Sequence, residues 1–141
     1  MAKFILQDVT VSVNGVSLGD HAFSIDLPQS RDQIDVSGFN STGAKSFLPG
    51  STEETVTIGF RQDFASSKVH QTVEPLYRNS STFALVIKPT SSGISATNPC
   101  FRGTAAMFEY NGLSGNLGEA SDITVTFKSA DNTAPLAWAT S

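Results

Sequence analysis

The segment SSKVHQTVEPLYRN, residues 66–79, carries the one helical pattern in a chain whose other patterns indicate β-strands. Four apolar side chains follow one another at i, i+4, i+7 and i+8 and span an arc of about 100° on an α-helix. We therefore expect a helix over about 66–78 with a core face formed by Val69, Val73, Leu76 and Tyr77. The other side carries the polar residues Lys68, Gln71, Glu74 and Arg78.

The flanking residues predict how this helix starts and stops. Asp63 or Ser66 is placed to accept a first-turn backbone N–H as the N-cap. Pro75 should kink the helix or end it in its last turn, because proline lacks the N–H donor and clashes with the preceding turn.

Strand patterns occupy most of the remaining chain, and Asn14-Gly15 between the first two favours a type I′ hairpin turn. The run at 83–88 is apolar at nearly every position, which is typical of a buried central strand. We therefore expect a mainly β fold of two packed antiparallel sheets, a sandwich or small barrel, with one lateral helix. The predicted strands cover 3–13, 21–27, 33–37, 53–60, 83–88, 100–110 and 123–127.

The length of 141 residues, 39% of them hydrophobic, predicts a single core. We expect one domain over 1–129 and a C-terminal extension over 130–141, where no periodicity is visible. A long loop is predicted at 38–51, which is rich in Gly, Ser, Thr and Pro. Its apolar residues Phe39, Phe47 and Leu48 indicate contact with a partner surface, and packing on the chain's own sheet is the alternative.

The charge argues against a protein that grips nucleic acid, since the net charge is −4 and the nine basic residues are scattered singly. Cys100 is the only cysteine, which excludes an intramolecular disulfide and a cysteine metal cage. The start of the chain lacks an apolar run long enough for a signal peptide, and no membrane-spanning segment follows. Synthesis and retention in a cytosol are expected.

Polar clusters that could carry chemistry do not have the required spacing. Cys100 lacks the flanking turn of a nucleophile, and neither it nor the two histidines, His21 and His70, forms a metal-ligand pair. The glycine-rich stretch at 112–118 precedes no helix, so a phosphate cradle is not expected. The acidic residues near the N-terminus favour a solvated sheet face over a calcium or glycosidase site: Asp20, Asp26, Asp32 and Asp35. We expect no enzyme, no metal and no cofactor.

The order of five features carries a resemblance to a known family. The strand VTIGF at 56–60 leads to the helix VHQTVEPLY at 69–77, a strand follows at 83–88, and the turn LSGNLGE at 113–119 precedes the strand at 123–127. This order resembles the tail tube proteins, or major tail proteins, of long-tailed bacteriophages, which are related to contractile-tail tubes and to type VI secretion tube proteins. The resemblance covers most of residues 3–129.

The resemblance implies a structural virion protein that assembles as hexameric rings stacked into a tube, through which DNA passes without specific binding. It further implies the tape measure, tail-tip and terminator proteins as partners, and a place in the virion tail after assembly in the host cytoplasm. On this hypothesis the acidic lumen candidates are Asp26, Asp35 and Glu109. The candidates for contact between rings or subunits are Phe39, Phe47, Leu48, Leu136 and Trp138.

A β-sandwich module for binding or capsid decoration is the alternative function. Such a module would present a stripe of exposed aromatic side chains, for which only Tyr77, Tyr110 and Trp138 are available.

Overall fold

A computed structural model describes residues 3–40 and 42–141 of the chain. The described residues form one helix and nine strands, which confirms the expected class of a mainly β fold with one helix. The helix α1 spans Val69–Arg78. The strands are β1 (Thr10–Val13), β2 (Val16–Ser17), β3 (Ala22–Asp26), β4 (Gln29–Asp35), β5 (Phe47–Arg61), β6 (Phe83–Lys88), β7 (Cys100–Met107), β8 (Asp122–Ser129) and β9 (Ala137–Ala139).

The strands are hydrogen-bonded in one continuous antiparallel series, in the order β2-β1-β6-β7-β8-β5-β3. Strand β4 also pairs with β5, and β9 pairs with β7. The sheet curls, so that Ile25 and Leu27 next to one edge line the same concavity as Val9 and Ile87 near the other. The two packed layers expected from the sequence are thus parts of one curled sheet around a shared core.

Alternation along the strands builds this core. Val56, Ile58 and Phe60 on β5 lie directly opposite Phe127, Val125 and Ile123 on β8, and all six side chains are buried. Strand β6 matches its predicted bounds and lies between β1 and β7, which confirms its central place. Its outward position Ala84 is exposed, so only one face of β6 is fully buried.

The helix covers the core with Val69, Val73 and Leu76, as predicted. The assignment of Tyr77 to this core face is wrong, since its side chain is 42% exposed. Tyr77 lies at the margin of the apolar stripe, about 100° around the helix from Leu76, so it extends past the edge of the core. The polar residues of the opposite side are exposed or half-buried.

The predicted N-caps are wrong, and Pro75 does not end the helix. The helix begins at Val69 after Lys68, which makes no side-chain cap, and the Asp63 carboxylate accepts the N–H of Ala65 instead. Pro75 lies inside the helix and does not end it. The helix stops in a Schellman motif, in which Ser80 has a positive φ of 52° and the N–H of Ser81 bonds to the carbonyl of Leu76.

The predicted loop at 38–51 is too long, because β5 already begins at Phe47. Pro49 and Gly50 are tolerated in this strand since only β4 pairs with it there, leaving the other edge free of ladder bonds. The pairing register also shifts between Arg31 and Gln33, where β5 carries one extra residue. The true connection runs from 36 to 46; Ser41 lies outside the described residues.

The two ends of the chain also differ from the sequence prediction. The first strand starts at Thr10 rather than at residue 3, although the Asn14-Gly15 turn has positive φ at both positions, as a type I′ hairpin requires. The segment 130–141 is part of the sheet, because β9 pairs with β7 and Leu136 is 1% exposed. The backbone at Pro135 and Leu136 passes close to β7 at Gly103. Glycine permits this close approach, since a Cβ at position 103 would lie 2.5 Å from the carbonyl oxygen of Pro135.

We predict that Leu136→Ala lowers the free energy of unfolding by about 2–4 kcal/mol, because it leaves a cavity in the core. Leu113→Ala, at a side chain that is 73% exposed, is the matched control and should change it by less than about 0.5 kcal/mol. Urea denaturation of the full chain measures both. Equal midpoints for the two variants would show that the C-terminal segment contributes nothing to the core.

Candidate assembly surfaces

The face of the sheet opposite the core is mostly polar across β3, β5 and β8, and its exposed aromatic member is Phe23, whose ring lies beside Gly59 and under Arg61. Its positions alternate with the buried ones, and its uncharged members are mostly hydroxyl residues: Ser24, Thr55, Thr57, Thr124 and Thr126. Asp26 belongs to the same face, directly opposite Thr57, and is exposed. The sequence expectation of a polar sheet face that contains Asp26 therefore has a structural basis.

Charges on this polar face are largely paired. Arg61 contacts Asp122 at 2.5 Å, and Lys128 contacts Glu53 at 3.3 Å. Asp26 forms no ion pair with any residue in the described part of the chain. Three acidic and two basic side chains thus give these five positions a net charge of −1.

The other two acidic lumen candidates do not join Asp26. Strands β3 and β4 follow one another along β5, and nine positions separate Asp26 from Asp35, so alternation turns the two side chains to opposite faces. Asp35 lies near the end of β4, where hydrogen bonds from Ser37 lower the pKa of its carboxyl group. Glu109 is exposed but follows β7 rather than belonging to it. Asp35 and Glu109 therefore do not share the sheet face of Asp26, and the place of all three residues on a lumen stays a prediction.

A two-stranded hairpin projects from the sheet. Residues 55–61 of β5 pair with β8, whereas residues 47–54 pair with β4 alone. At about 3.3 Å per residue, the strand runs roughly 26 Å beyond Thr55. We call residues 29–54 the projecting hairpin.

Large apolar side chains are exposed along this hairpin. Isolated two-stranded hairpins are at best marginally stable in water, and clustered exposed apolar side chains mark interaction sites. The exposed members are Ile34, Val36, Phe39, Phe47 and Leu48. The hairpin therefore combines an unsupported backbone with an apolar surface, as a segment that packs on another chain would.

The connection at the tip of the hairpin holds Phe39 outward. Asn40 organises it, because its Oδ1 accepts the N–H groups of Thr42 and Gly43 while its Nδ2 donates to the carbonyls of Gly38 and Ala44. Phe39, next to these hydrogen bonds of Asn40, is fully exposed. Phe39 therefore does not pack on its own sheet in this structure, and its contact with another copy stays a prediction.

The two C-terminal contact candidates have different surroundings. Leu136 is buried in its own core, so its assignment as a contact with another subunit is wrong. Trp138 stands edge-on to Phe101 at 5.2 Å between ring centroids and remains 45% exposed. It borders an apolar groove of about 640 Å³ lined also by Phe4, Leu6, Ile25, Leu27 and Ile87.

An exposed apolar site between β7 and β8 was missed from the sequence. Residues 108–121 between β7 and β8 form a long connection, in which Leu113 is 73% and Leu117 fully exposed. The sequence prediction treated this stretch as a glycine-rich turn. The signal was present in the two leucines themselves, since they interrupt a run of Gly, Ser and Asn without any strand period.

Comparisons with known proteins agree with this architecture. The structure is similar to a chain of the virion of the native gene transfer agent particle, with a TM-score of 0.73, 10% identity and 95% of both chains covered. It is also similar to a chain of the tail of the empty gene transfer agent particle, refined with C6 symmetry, with a TM-score of 0.66, 10% identity and coverage of 86% and 82%.

A third similar structure is the SPP1 tail tube, with a TM-score of 0.69, 13% identity and 97% of this chain on 78% of that chain. The chain has the tail-tube fold. No protein-family model and no curated protein sequence matches it.

Within this tail-tube fold, His21 ties the start of β3 to the connection between β5 and α1. Its Nδ1 lies 2.9 Å from Asp20 Oδ1, and its Nε2 lies 2.8 Å from Asp63 Oδ2. Both ring nitrogens face carboxylate oxygens, an arrangement in which the protonated imidazole can donate to both carboxylates. The hydrogen bonds to Asp20 and Asp63 raise the pKa of His21 above 6.5.

Across residues 3–40 and 42–141, no group of three or more His, Cys, Asp or Glu side chains is placed to hold a metal ion. Cys100 is buried. No helix within those ranges has the length and apolar composition to cross a membrane.

We predict that the stabilisation by His21 depends on pH. Its pKa is raised by folding, so its contribution is complete below about 6.5 and disappears as the pH rises through the folded-state pKa. The pKa values of Asp20 and Asp63 are lowered, by His21 and by the Ala65 N–H respectively, so their share fades as the pH falls below about 3.8.

Thermal unfolding of wild type and His21→Gln should therefore differ by several degrees at about pH 5 and much less at about pH 9. The double variant Asp20→Asn/Asp63→Asn serves as control and should flatten this pH dependence. A difference in Tm that stays constant with pH would contradict the ionic role of His21.

Proposed function

We propose that this chain is a structural subunit of a phage-type tail tube, which assembles with copies of itself into stacked hexameric rings around a channel for DNA. The observation that carries the proposal is the projecting hairpin, whose residues 47–54 pair with β4 alone in the described part of the chain and whose outer half exposes large apolar side chains. The tail-tube fold shared with the gene transfer agent and SPP1 structures supports it. The role is one of construction rather than catalysis.

The polar sheet face is the surface that we assign to the channel. Hydroxyl side chains and paired charges offer phosphates no concentrated positive potential, and Asp26 adds negative charge. DNA can then pass without specific binding. Tape measure, tail-tip and terminator proteins are the proposed further partners, in a virion tail whose subunits wait in the host cytoplasm before assembly.

The alternative of a binding or decoration module has less support. Tyr110 is held by Gln62 and His70 beside the helix, whereas Trp138 lies on β9, next to the first residues of β7. Tyr77 is on the helix margin. These aromatic side chains therefore do not form the single exposed stripe that a carbohydrate-type platform requires.

We predict that Phe39→Asp leaves a folded chain that does not elongate, because it places a charge in the apolar contact. Gln71→Asp, which adds the same charge on the exposed side of α1, should assemble as wild type does. Negative-stain microscopy and sedimentation of the concentrated proteins measure this. The wild type is expected to show rings or tubes. A wild-type protein that stays monomeric at millimolar concentration with a crowding agent would contradict the proposed function.

We predict that Asp26→Lys slows DNA release from assembled particles by about tenfold or more, since a cation on the channel wall attracts phosphates. Tube formation should be unaffected. The control Gln71→Lys places a cation outside the channel and should release DNA at the wild-type rate. If particles with Asp26→Lys eject DNA at the wild-type rate, the assignment of the polar face to the channel wall is wrong.

A further inference from the structure

A groove opens beside the base of the projecting hairpin, where β8 stops pairing with β5. Thr55 and Lys128 form the last paired position of the two strands. Beyond it, β5 is paired with β4 alone, and the chain after β8 continues through 130–136 to β9. Residues of both segments line a groove of about 560 Å³, together with Phe108. We call it the base groove.

Glu54 in the base groove is a buried residue whose carboxylate has no partner. It continues the inward positions 56, 58 and 60 of β5, and it is only 8% exposed. Its side chain forms no hydrogen bond and no ion pair with any residue in 3–40 or 42–141. Burying a charge is costly unless the charge is paired. A cation supplied from outside the chain would remove this cost.

The other charged residues of the base groove leave it acidic. Lys128 is engaged with Glu53 at 3.3 Å. Asp131 Oδ1 accepts the backbone N–H and the hydroxyl of Thr133 at 2.8 and 2.7 Å, and these hydrogen bonds lower the pKa of the Asp131 carboxyl group. With Glu54, three carboxylates and one ammonium give the groove a net charge of −2.

The lining of the base groove favours an organic cation over a metal ion. Its carboxylates do not surround one point, since no group of three or more His, Cys, Asp or Glu side chains in 3–40 and 42–141 is placed to hold an ion. Phe108, which is 69% exposed, and Pro135 add apolar surface. Methylene chains pack on such surface while their ammonium ends stay with polar groups, and an aromatic face attracts ammonium ions.

We propose that the base groove binds a small aliphatic polyamine, with one ammonium group on Glu54, another on Asp131 and the methylene chain against Phe108. Two separated carboxylates match a ligand whose charges are separated by a short apolar chain. The groove volume lies in the range of small-molecule sites. The site goes beyond the proposed function, because it requires no neighbouring copy. Binding to the folded chain neutralises the groove and raises the stability of the chain.

Isothermal titration calorimetry with putrescine, a diamine of four methylene groups, tests the site. The full chain is used below the concentration at which it elongates. Wild type should bind one putrescine, and butylamine, which carries one charge on the same four carbons, should bind about tenfold more weakly or worse. Magnesium chloride at matched ionic strength should not displace the diamine. A wild-type chain that binds no putrescine overturns the proposal.

Two variants of nearly equal shape locate the site. Glu54→Gln and Asp131→Asn each remove one charge from the groove and should weaken putrescine binding by about tenfold. The matched control Glu119→Gln removes an exposed charge from the connection between β7 and β8 and should bind as wild type does. Putrescine should raise the Tm of wild type and of this control, and it should leave the Tm of Glu54→Gln nearly unchanged. The Tm without ligand shows that each variant is folded.

The outcomes separate this proposal from the proposed function. Equal affinity of wild type, Glu54→Gln and Asp131→Asn for putrescine overturns the location, and equal affinity for putrescine and butylamine overturns the two-point contact. If Glu54 instead receives a basic side chain of another copy, the dispersed chain binds no putrescine and Glu54→Gln impairs elongation. That result overturns the polyamine site and leaves the tube function standing. A chain that binds putrescine selectively but never forms tubes supports this site and contradicts the tube function.

Discussion

Strand β5 satisfies its backbone in two different ways, and the rest of the molecule depends on that division. Its second half lies between β8 and β3 in the sheet, with alternate side chains in the core. Its first half has hydrogen bonds to β4 alone. One continuous strand therefore links the stable core to an exposed two-stranded ribbon, so the direction in which the ribbon leaves the core is set by β5.

The sequence predicted the core well because the pattern there has a simple physical origin. Positions 56, 58 and 60 face inward and carry Val, Ile and Phe, while 123, 125 and 127 supply the matching side chains from β8. The same periodicity located the helix and its three buried residues. Burial on one face forces such patterns, so they are visible without any knowledge of the fold.

The hairpin and the tail were mispredicted because burial imposes no period on them. Pro49 and Gly50 indicate a loop by their local preferences, yet an edge of a two-stranded ribbon accepts both. Every residue of β4 is exposed, so burial imposes no alternation on its sequence, and the pattern predicted only part of the strand. Leu136 is a single apolar residue whose burial depends on the crossing over Gly103, a contact between segments distant in sequence. The acidic candidates Asp26 and Asp35 lie on different faces for a similar reason, since the face of a residue on β3 or β4 depends on its register with β5.

An apolar ribbon continues past one end of the paired part of β5, and the connection 108–121 with its exposed leucines is bonded to Gln62 at the other end, so the chain has a direction. Two copies related by a two-fold axis would bring like surfaces together and leave one of the two kinds uncovered. In the proposed tube, head-to-tail contact would cover both kinds in every interior copy, and burial of apolar surface would then favour continued addition over closure of a pair. The two terminal layers of such a stack still expose one surface each, and these exposed surfaces differ. Growth from one end and termination at the other would therefore require partners with different shapes, which is a consequence of the direction of β5.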